Sequence, residues 1–221
     1  MEGRDERVAE EREAVGRLRR GDAGGLEALV RRHYDRAMGA AYLVVRDRAV
    51  AEDVVQGAFV RAFEKIHRFD PGRPFAPWFM KIVLNGAVEA ARRGGREASR
   101  EVADGERLLV RLADPGAGLQ EAAEKGEVRR RVRAALGQLP PAQRAAVVQR
   151  YYLGMSEAEM AEGGAAPAGT IKSRLNAARK GLARILRPEL GALHAQEVRA
   201  GWPDGRIGAT QDVPESGRDH D

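Results

Sequence analysis

The sequence contains no cysteine, few aromatic residues and no long apolar run. Without cysteine, disulfide bonds and thiolate metal sites are excluded. No apolar segment approaches the roughly 20 residues needed to span a bilayer, and the charged residues 1–20 do not resemble a signal peptide. We therefore expect a cytoplasmic protein without membrane insertion. The four histidines lack the spacing of metal ligands, so we expect neither a metal nor a cofactor: His33, His67, His194 and His220.

Strand patterns are also lacking, because no segment alternates polar and apolar residues, and this predicts an all-α protein. With 221 residues and 43% hydrophobic content, the chain is long enough for two small helical domains. Two blocks have clear helical periodicity, and the sequence around and between them has little. The predicted organisation is a charged N-terminal tail (1–20), a helical domain (21–97), a flexible linker (98–127) with a short helix over 106–112 and a second helical domain (128–187). A largely disordered C-terminal extension (188–221) follows, with one or two helical turns near residues 190–198.

The first block contains a helix with an unusual polar face. Apolar residues at helical spacing predict a helix from about residue 49 to residue 66. Its opposite face carries four residues to which two interpretations apply: Asp53, Gln56, Val60 and Glu64. A solvated surface is the ordinary interpretation. An apolar Val60 amid polar neighbours, with Asp53 and Gln56 one turn apart, instead favours a docking face.

Aromatic residues are concentrated just after this helix. All five phenylalanines lie between Phe59 and Phe79, around the proline-rich segment RFDPGRPFAPW. Prolines end the helix here, and a new helix is predicted to begin at Pro77 or Trp78 and to run to Arg93. The rings form either a core or a surface that handles nucleotide bases.

The second block has the pattern of a helix-turn-helix. Pro140 and Pro141 open one helix, and Ser156 with Glu159 has the spacing of a capping box for the next. The last helix, predicted over residues 167–184, has no acidic residue from position 170 to 187. A polar face of one sign after a short turn is typical of a helix that reads the DNA major groove. A plain basic surface helix is the alternative.

Both blocks resemble bacterial RNA polymerase sigma factors of the extracytoplasmic-function (ECF) group, over roughly residues 22–96 and 128–186. Residues 51–93 resemble region 2 of these proteins, with the sequence AEDVVQGAFVRAFEKIHRFDPGRPFAPWFMKIVLNGAVEAARR. Residues 139–186 resemble region 4, with the sequence LPPAQRAAVVQRYYLGMSEAEMAEGGAAPAGTIKSRLNAARKGLARIL. The resemblance implies a non-catalytic subunit that binds core RNA polymerase, recognises the −10 and −35 promoter elements and promotes strand opening. It also implies an anti-sigma partner.

The resemblance assigns roles to three sets of residues. The polymerase-binding set is Asp53, Gln56, Val60 and Glu64. The set for single-stranded −10 DNA is Phe69, Arg73, Phe75, Lys81, Asn85, Glu89, Arg92 and Arg93. The set for duplex −35 DNA is Thr170, Lys172, Ser173, Arg174, Asn176, Arg179 and Lys180. Of the other rings, Phe59, Phe63 and Phe79 are expected in the core, and Trp78 is expected to be buried.

The sequence departs from the family pattern at several positions. Gly57 stands where the family usually has an acid, and Glu89 replaces an aspartate. Gly163 and Gly164 replace two bulky aliphatic residues, followed by Ala165 and Ala166 in place of a glycine and an aliphatic residue. Each lost buried aliphatic side chain removes about 1.5–3 kcal/mol of stabilisation, so we expect region 4 to be loosely packed or to need a partner or DNA to order it.

Two other functions compete with this interpretation. A stand-alone helix-turn-helix regulator would bind duplex DNA without polymerase, but it has no need for a loop that holds an unpaired base. A nucleic-acid enzyme requires an acidic cluster, a metal-ligand set or a phosphate-binding glycine loop, and the sequence has none of these patterns.

Overall fold

A computed structural model describes residues 2–94, 119–162 and 166–199. These residues form helices and turns and contain no strand, which confirms the all-α class. The helices are α1 (Glu2–Arg19), α2 (Ala23–Val45), α3 (Arg48–Lys65), α4 (Phe75–Arg93), α5 (Leu119–Gly137), α6 (Pro141–Val147), α7 (Glu157–Ala161) and α8 (Ala168–Arg199). The predicted linker helix at 106–112 lies outside the described residues. None of the described helices combines the length and apolarity that a membrane crossing requires.

The chain divides into two units, Met1–Leu186 and Arg187–Asp221. Helix α8 continues to Arg199 and so includes the helical turns predicted near residues 190–198, without the break predicted after residue 187. Pro188 removes one backbone donor without ending it. Residues 200–221 lie outside the described residues.

The N-terminal segment differs most from its sequence prediction. Residues predicted as a charged tail form α1, and Ala14, Val15 and Leu18 are buried against the rest of the first unit. Gly25 on α2 permits this contact, because a Cβ there would lie 2.5 Å from the carbonyl oxygen of Ala14. A short apolar stripe therefore suffices to dock a helix whose remaining residues are mostly charged.

Helices α2, α3 and α4 pack around a common core with α1. Asp22 caps α2 by accepting a hydrogen bond from the Gly24 amide (2.8 Å), and Asp47 caps α3 through the Val50 amide (2.9 Å). Between these two helices, Arg46 adopts a left-handed conformation with φ of 65°. The largest fully buried side chains of this core are apolar: Leu18, Leu29, Met38, Val44, Val55, Ile66, Phe75, Phe79, Val83 and Leu84.

The start signals of the second block are confirmed. Helix α6 begins at Pro141 and continues into one π-helical turn, Val148–Tyr152. Ser156 caps α7 with the predicted capping box: its amide donates to the Glu159 carboxylate (2.8 Å), and the Glu159 amide donates to its hydroxyl (3.2 Å). Helix α5, in contrast, begins at Leu119, inside the predicted linker.

The two predicted domains share one core. Apolar side chains of the second block belong to the same buried cluster as those of α2 and α4: Ala145, Ala146, Val148, Met160, Ile171 and Leu175. The relative placement that the sequence left open is therefore a packed one in this structure. The expectation of a loosely packed region 4 stays a prediction, since residues 163–165 lie outside the described part of the chain.

Buried Arg144 joins the two blocks. It donates hydrogen bonds to the carbonyl oxygens of Val44 on α2, Gly137 (3.0 Å) and Leu139 (2.9 Å). Burial, with a smaller contribution from the charge of Arg46, lowers the pKa of Arg144 to about 10, so the guanidinium stays charged at neutral pH.

Candidate nucleic-acid and polymerase interfaces

The predicted docking face of α3 is exposed to solvent. Asp53, Gln56, Val60 and Glu64 all lie at the surface, and Val60 is 57% exposed. Phe63, predicted to be core, is 46% exposed, so that prediction is wrong. The buried stripe of α3 is narrower than its apolar arc, and Phe63 falls outside it. Since residues three apart are neighbours on a helix, Val60 and Phe63 form an apolar patch beside polar groups.

The proline loop, residues 69–75, follows the short turn after α3 and ends at the first residue of α4. Its two terminal rings are buried, Phe69 being 4% and Phe75 2% exposed. Phe69 lies 5.7 Å from Phe75 and 5.0 Å from Trp78 between ring centroids, and Phe75 stacks on Phe79 at 5.6 Å. The prediction that Phe69 and Phe75 contact DNA is therefore not supported, because T-shaped and stacked packing removes both rings from the surface.

Phe59 and Phe79 are in the core as predicted, with ring centroids 4.4 Å apart. Trp78 is half-buried against the same cluster. The four rings Phe69, Phe75, Trp78 and Phe79 are called the ring cluster below. They form the platform beneath the proline loop.

Helix α4 begins at Phe75 and not at Pro77 or Trp78. Pro77 is accommodated in the first turn, where its missing amide hydrogen costs no intrahelical bond. The remaining loop residues, 70–74, are exposed and form a tight turn. Asp70 accepts from the Gly72 amide (2.9 Å), and its carbonyl accepts from the Arg73 amide (3.0 Å).

A cleft of about 560 Å³ separates this loop from α7. Its lining combines three cations, two aromatic rings and three acids: Arg68, Arg73, Lys81, Phe69, Trp78, Asp70, Glu159 and Glu162. A half-buried indole beside exposed guanidinium groups is a combination that suits a stacked base and its phosphate.

Two cations of the predicted −10 set are engaged by Glu162 from region 4. The ammonium of buried Lys81 donates to the Glu162 carbonyl oxygen, and Arg73 Nη1 lies 3.0 Å from Glu162 Oε2. Burial lowers the pKa of Lys81, and the nearby Glu162 and Glu159 carboxylates counteract part of that effect. Sequence analysis did not identify Glu162, because only the fold brings it near Lys81.

The other −10 candidates lie along α4. Asn85, Glu89, Arg92 and Arg93 are exposed, and Arg93 forms an ion pair with Glu89 (2.8 Å). A second cavity, of about 200 Å³, is lined by Asn85, Glu89 and Arg92 on one side and by Arg174 of the −35 set on the other. The structure thus brings together residues that the sequence assigned to two different promoter elements.

Helix α8 has the two predicted faces. Ile171, Leu175 and Ala178 are buried. Lys172, Ser173, Asn176, Arg179 and Lys180 are exposed, whereas Thr170 and Arg174 are partly buried. Arg179 Nε donates to the Tyr151 hydroxyl (2.9 Å). In the described part of the chain, no group of histidine, aspartate or glutamate side chains has the arrangement of a metal site.

Both ends of the proline loop are held by α1. Arg19 Nη1 donates to the Phe69 carbonyl (3.0 Å), and Glu11 Oε1 accepts from the Phe75 amide (3.2 Å). The other Glu11 oxygen lies 3.0 Å from Nε2 of buried His33. Burial opposes ionisation of Glu11, but His33, the Phe75 amide and Arg32 more than offset it and lower its pKa. No sequence pattern distinguished Glu11 and Arg19 among the charged residues of this segment.

Comparison with known proteins agrees with the two-block organisation. The family described as sigma-70 region 2 matches residues 29–97, and the family described as sigma-70 region 4 matches residues 129–182. ECF RNA polymerase sigma factor SigM of Mycobacterium tuberculosis is 31% identical over 75% of this chain and 79% of its own length. RNA polymerase sigma-H factor of Pseudomonas aeruginosa is 28% identical over 82% of this chain and 96% of its own length.

A solved structure also shares the fold. CnrH, solved in complex with the cytosolic domain of CnrY, superposes with a TM-score of 0.56 and 26% identity, covering 81% of this chain and 98% of CnrH.

Proposed function

The chain belongs to the ECF group of RNA polymerase sigma factors. We propose that three of its surfaces have separate roles in promoter recognition. The exposed face of α3 binds core RNA polymerase, the proline loop with α4 holds the melted −10 strand, and α8 reads the −35 duplex. The chain itself catalyses no reaction. The observation that carries this proposal is the exposed proline loop, which rests on the buried ring cluster and borders a cleft. The same chain presents a face of α8 whose charged residues are all basic between positions 170 and 187.

The −10 role follows from the cleft beside the proline loop. Taking a base out of the stack costs a few kcal/mol, and stacking with pocket contacts returns about 1–3 kcal/mol per base. The partly exposed Trp78 offers such a surface, and Arg73 offers a contact for the backbone phosphate. Phosphate contacts fix register, so base selection rests on the region 2 side of the cleft, the proline loop and Trp78, which remains in place when the region 4 side moves away.

The −35 role follows from the charge of α8. Lys172, Arg179 and Lys180 are exposed on one face, and no acid from residue 170 to residue 187 opposes them. Such a helix fits the major groove and gains affinity by releasing counterions from the phosphates.

Promoter binding requires the two blocks to separate. The −10 and −35 elements lie about 25 base pairs apart by their own numbering, which is roughly 85 Å at 3.4 Å per base pair. In the packed structure, Asn85 and Arg174 line one cavity. We infer that the packed form precedes engagement of the promoter and that polymerase holds the blocks apart. An anti-sigma partner is part of the proposal, since CnrH was solved with a second protein bound.

Run-off transcription with core polymerase on a promoter library tests the proposal. The expected result is core-dependent initiation at sites that share two elements, with tighter binding to promoters opened in advance at the −10 element. A chain that fails to associate with core enzyme, or that binds intact and pre-opened promoters equally, would refute it. Duplex binding without polymerase and without initiation would favour the stand-alone regulator.

A further inference from the structure

We propose that helix α1 sets the shape of the −10 recognition loop, with Glu11 and Arg19 as positioning residues. This inference rests on the proposed function of the proline loop. Neither residue is assigned to contact DNA, polymerase or a base. Each acts by fixing one end of the loop that does.

Arg19 holds the end of the loop nearest α3. Its guanidinium donates to the Phe69 carbonyl (3.0 Å) in a partly buried setting. Phe69 ends the short 3₁₀ turn Ile66–Arg68, and its ring is buried in the ring cluster. Both the backbone and the side chain of this residue are therefore fixed before the exposed part of the loop begins.

Glu11 holds the other end by capping α4 from a different helix. Pro74 occupies the N-cap position of α4 and supplies no side-chain acceptor for the first amide groups. The Glu11 carboxylate accepts from the Phe75 amide (3.2 Å), which no intrahelical carbonyl could satisfy. A negative charge at this end of a helix is also favoured by the helix dipole.

The carboxylate is itself held in place. His33 Nε2 lies 3.0 Å from Glu11 Oε2, and Arg32 approaches the same oxygen at 3.6 Å. The His33 ring packs on Phe75 at 5.4 Å between centroids. The residue that caps α4 is thus oriented by a group that touches the same phenylalanine, which couples α1, α2 and the loop.

The two anchors determine the position of Arg73 beside the cleft. Only residues 70–74 lie between the two anchors, so the anchors fix where the tip of the loop stands above the ring cluster. A site loosened at its supporting residues loses selectivity, because wrong and right ligands then fit almost equally. We expect loss of Glu11 or Arg19 to reduce discrimination between −10 bases while leaving the α3 face unchanged.

The experiment uses the full chain reconstituted with core polymerase and a promoter selected from the library. Glu11→Ala, Glu11→Gln and Arg19→Ala are compared with the wild type for initiation on that promoter and on versions with single −10 bases changed. Glu13→Gln and Arg20→Ala are matched controls, since Glu13 and Arg20 are exposed residues of α1 close in sequence to Glu11 and Arg19. Affinity for core enzyme and the urea midpoint are measured for every variant.

The expected result is a loss of −10 discrimination of about five- to tenfold for each alanine variant, as for one hydrogen bond. Glu11→Gln keeps an acceptor for the Phe75 amide and should lose less. Affinity for core enzyme and both controls should stay within about twofold of the wild type. Buried Ala14, Val15 and Leu18 should keep α1 docked in all variants.

Unchanged discrimination in folded Glu11→Ala and Arg19→Ala would overturn the inference. A parallel loss of discrimination and of core affinity would also overturn it, because α1 would then support the whole domain and not the loop. If the wild-type chain directs no core-dependent transcription, the proposed function itself is refuted. The proposed role of α1 is then refuted as well.

Discussion

The guanidinium of Arg73 lies 3.0 Å from the carboxylate of Glu162, although the two residues belong to blocks with different predicted DNA targets. Both side chains are more than half exposed, at 59% and 52%, so the pair by itself contributes at most about 1 kcal/mol. Its position matters more than its strength. An acid from region 4 occupies the cationic side of the cleft where a phosphate of the −10 strand is proposed to lie.

Reversing this charge should expose the cleft to DNA. Glu162→Lys places a cation near Arg73 and Lys81 and removes the competing carboxylate. We expect the free chain to bind a single-stranded −10 oligonucleotide about three- to tenfold more tightly in a fluorescence anisotropy titration at low salt. Glu157→Lys is the control, because it adds the same charge to α7 outside the cleft. Equal gains for the two variants would show a general charge effect and contradict the prediction.

The apolar patch of α3 should contribute to polymerase binding. Val60→Asp leaves the buried core untouched, so the free energy of unfolding should change by no more than about 0.5 kcal/mol. Burial of the charge against polymerase should weaken core binding at least tenfold in a competition assay. Val8→Asp introduces the same change at an exposed site on α1 and should have no effect. Wild-type affinity for Val60→Asp would rule out this face.

Arg144 should be a major determinant of stability. Arg144→Leu leaves the carbonyls of Val44, Gly137 and Leu139 without this donor, at a cost of about 3 kcal/mol in the free energy of unfolding measured with urea. Arg12→Leu, at an exposed position on α1, should cost less than about 0.5 kcal/mol. A change below about 1 kcal/mol for Arg144→Leu would mean that water replaces the lost donor.

Glu11 should give the stability a dependence on acid pH. Its pKa in the folded chain is lowered from 4.5, so its contribution is fully present above that value and is lost as the pH falls through the lower, folded pKa. The groups that face it are His33 and Arg32 on α2 and the Phe75 amide on α4. In urea unfolding, the difference in the free energy of unfolding between wild type and Glu11→Gln should become smaller below pH 4.5. A difference that stays constant down to full acid unfolding would contradict the assignment of this pH dependence to Glu11.

Local signals made much of the fold predictable. Proline pairs and capping residues act over three or four positions, and the starts of α6 and α7 at Pro141 and Glu157 followed from them. The same holds for the buried stripe of α8, where Ile171, Leu175 and Ala178 keep helical spacing.

Features that depend on distant contacts were not predictable. Phe69 and Phe75 resembled exposed loop residues, yet they meet each other and Trp78 across the loop and become its floor. Helix α1 looked like a charged tail, because its docking depends on only three buried apolar residues and on the space that Gly25 leaves. Glu162 was overlooked for the same reason, since its partner Lys81 lies 81 positions earlier in the chain.

Because the two blocks share a core, the amount of this factor bound to polymerase depends on the concentration of free core enzyme. If only a fraction of molecules is open at any moment, the apparent dissociation constant for core enzyme rises by the inverse of that fraction. Each apolar contact between the blocks therefore raises the concentration of unoccupied polymerase at which half of the factor is recruited. Substitutions at buried apolar positions outside the DNA-binding sets, such as Val148, would change that concentration without altering which promoters are chosen.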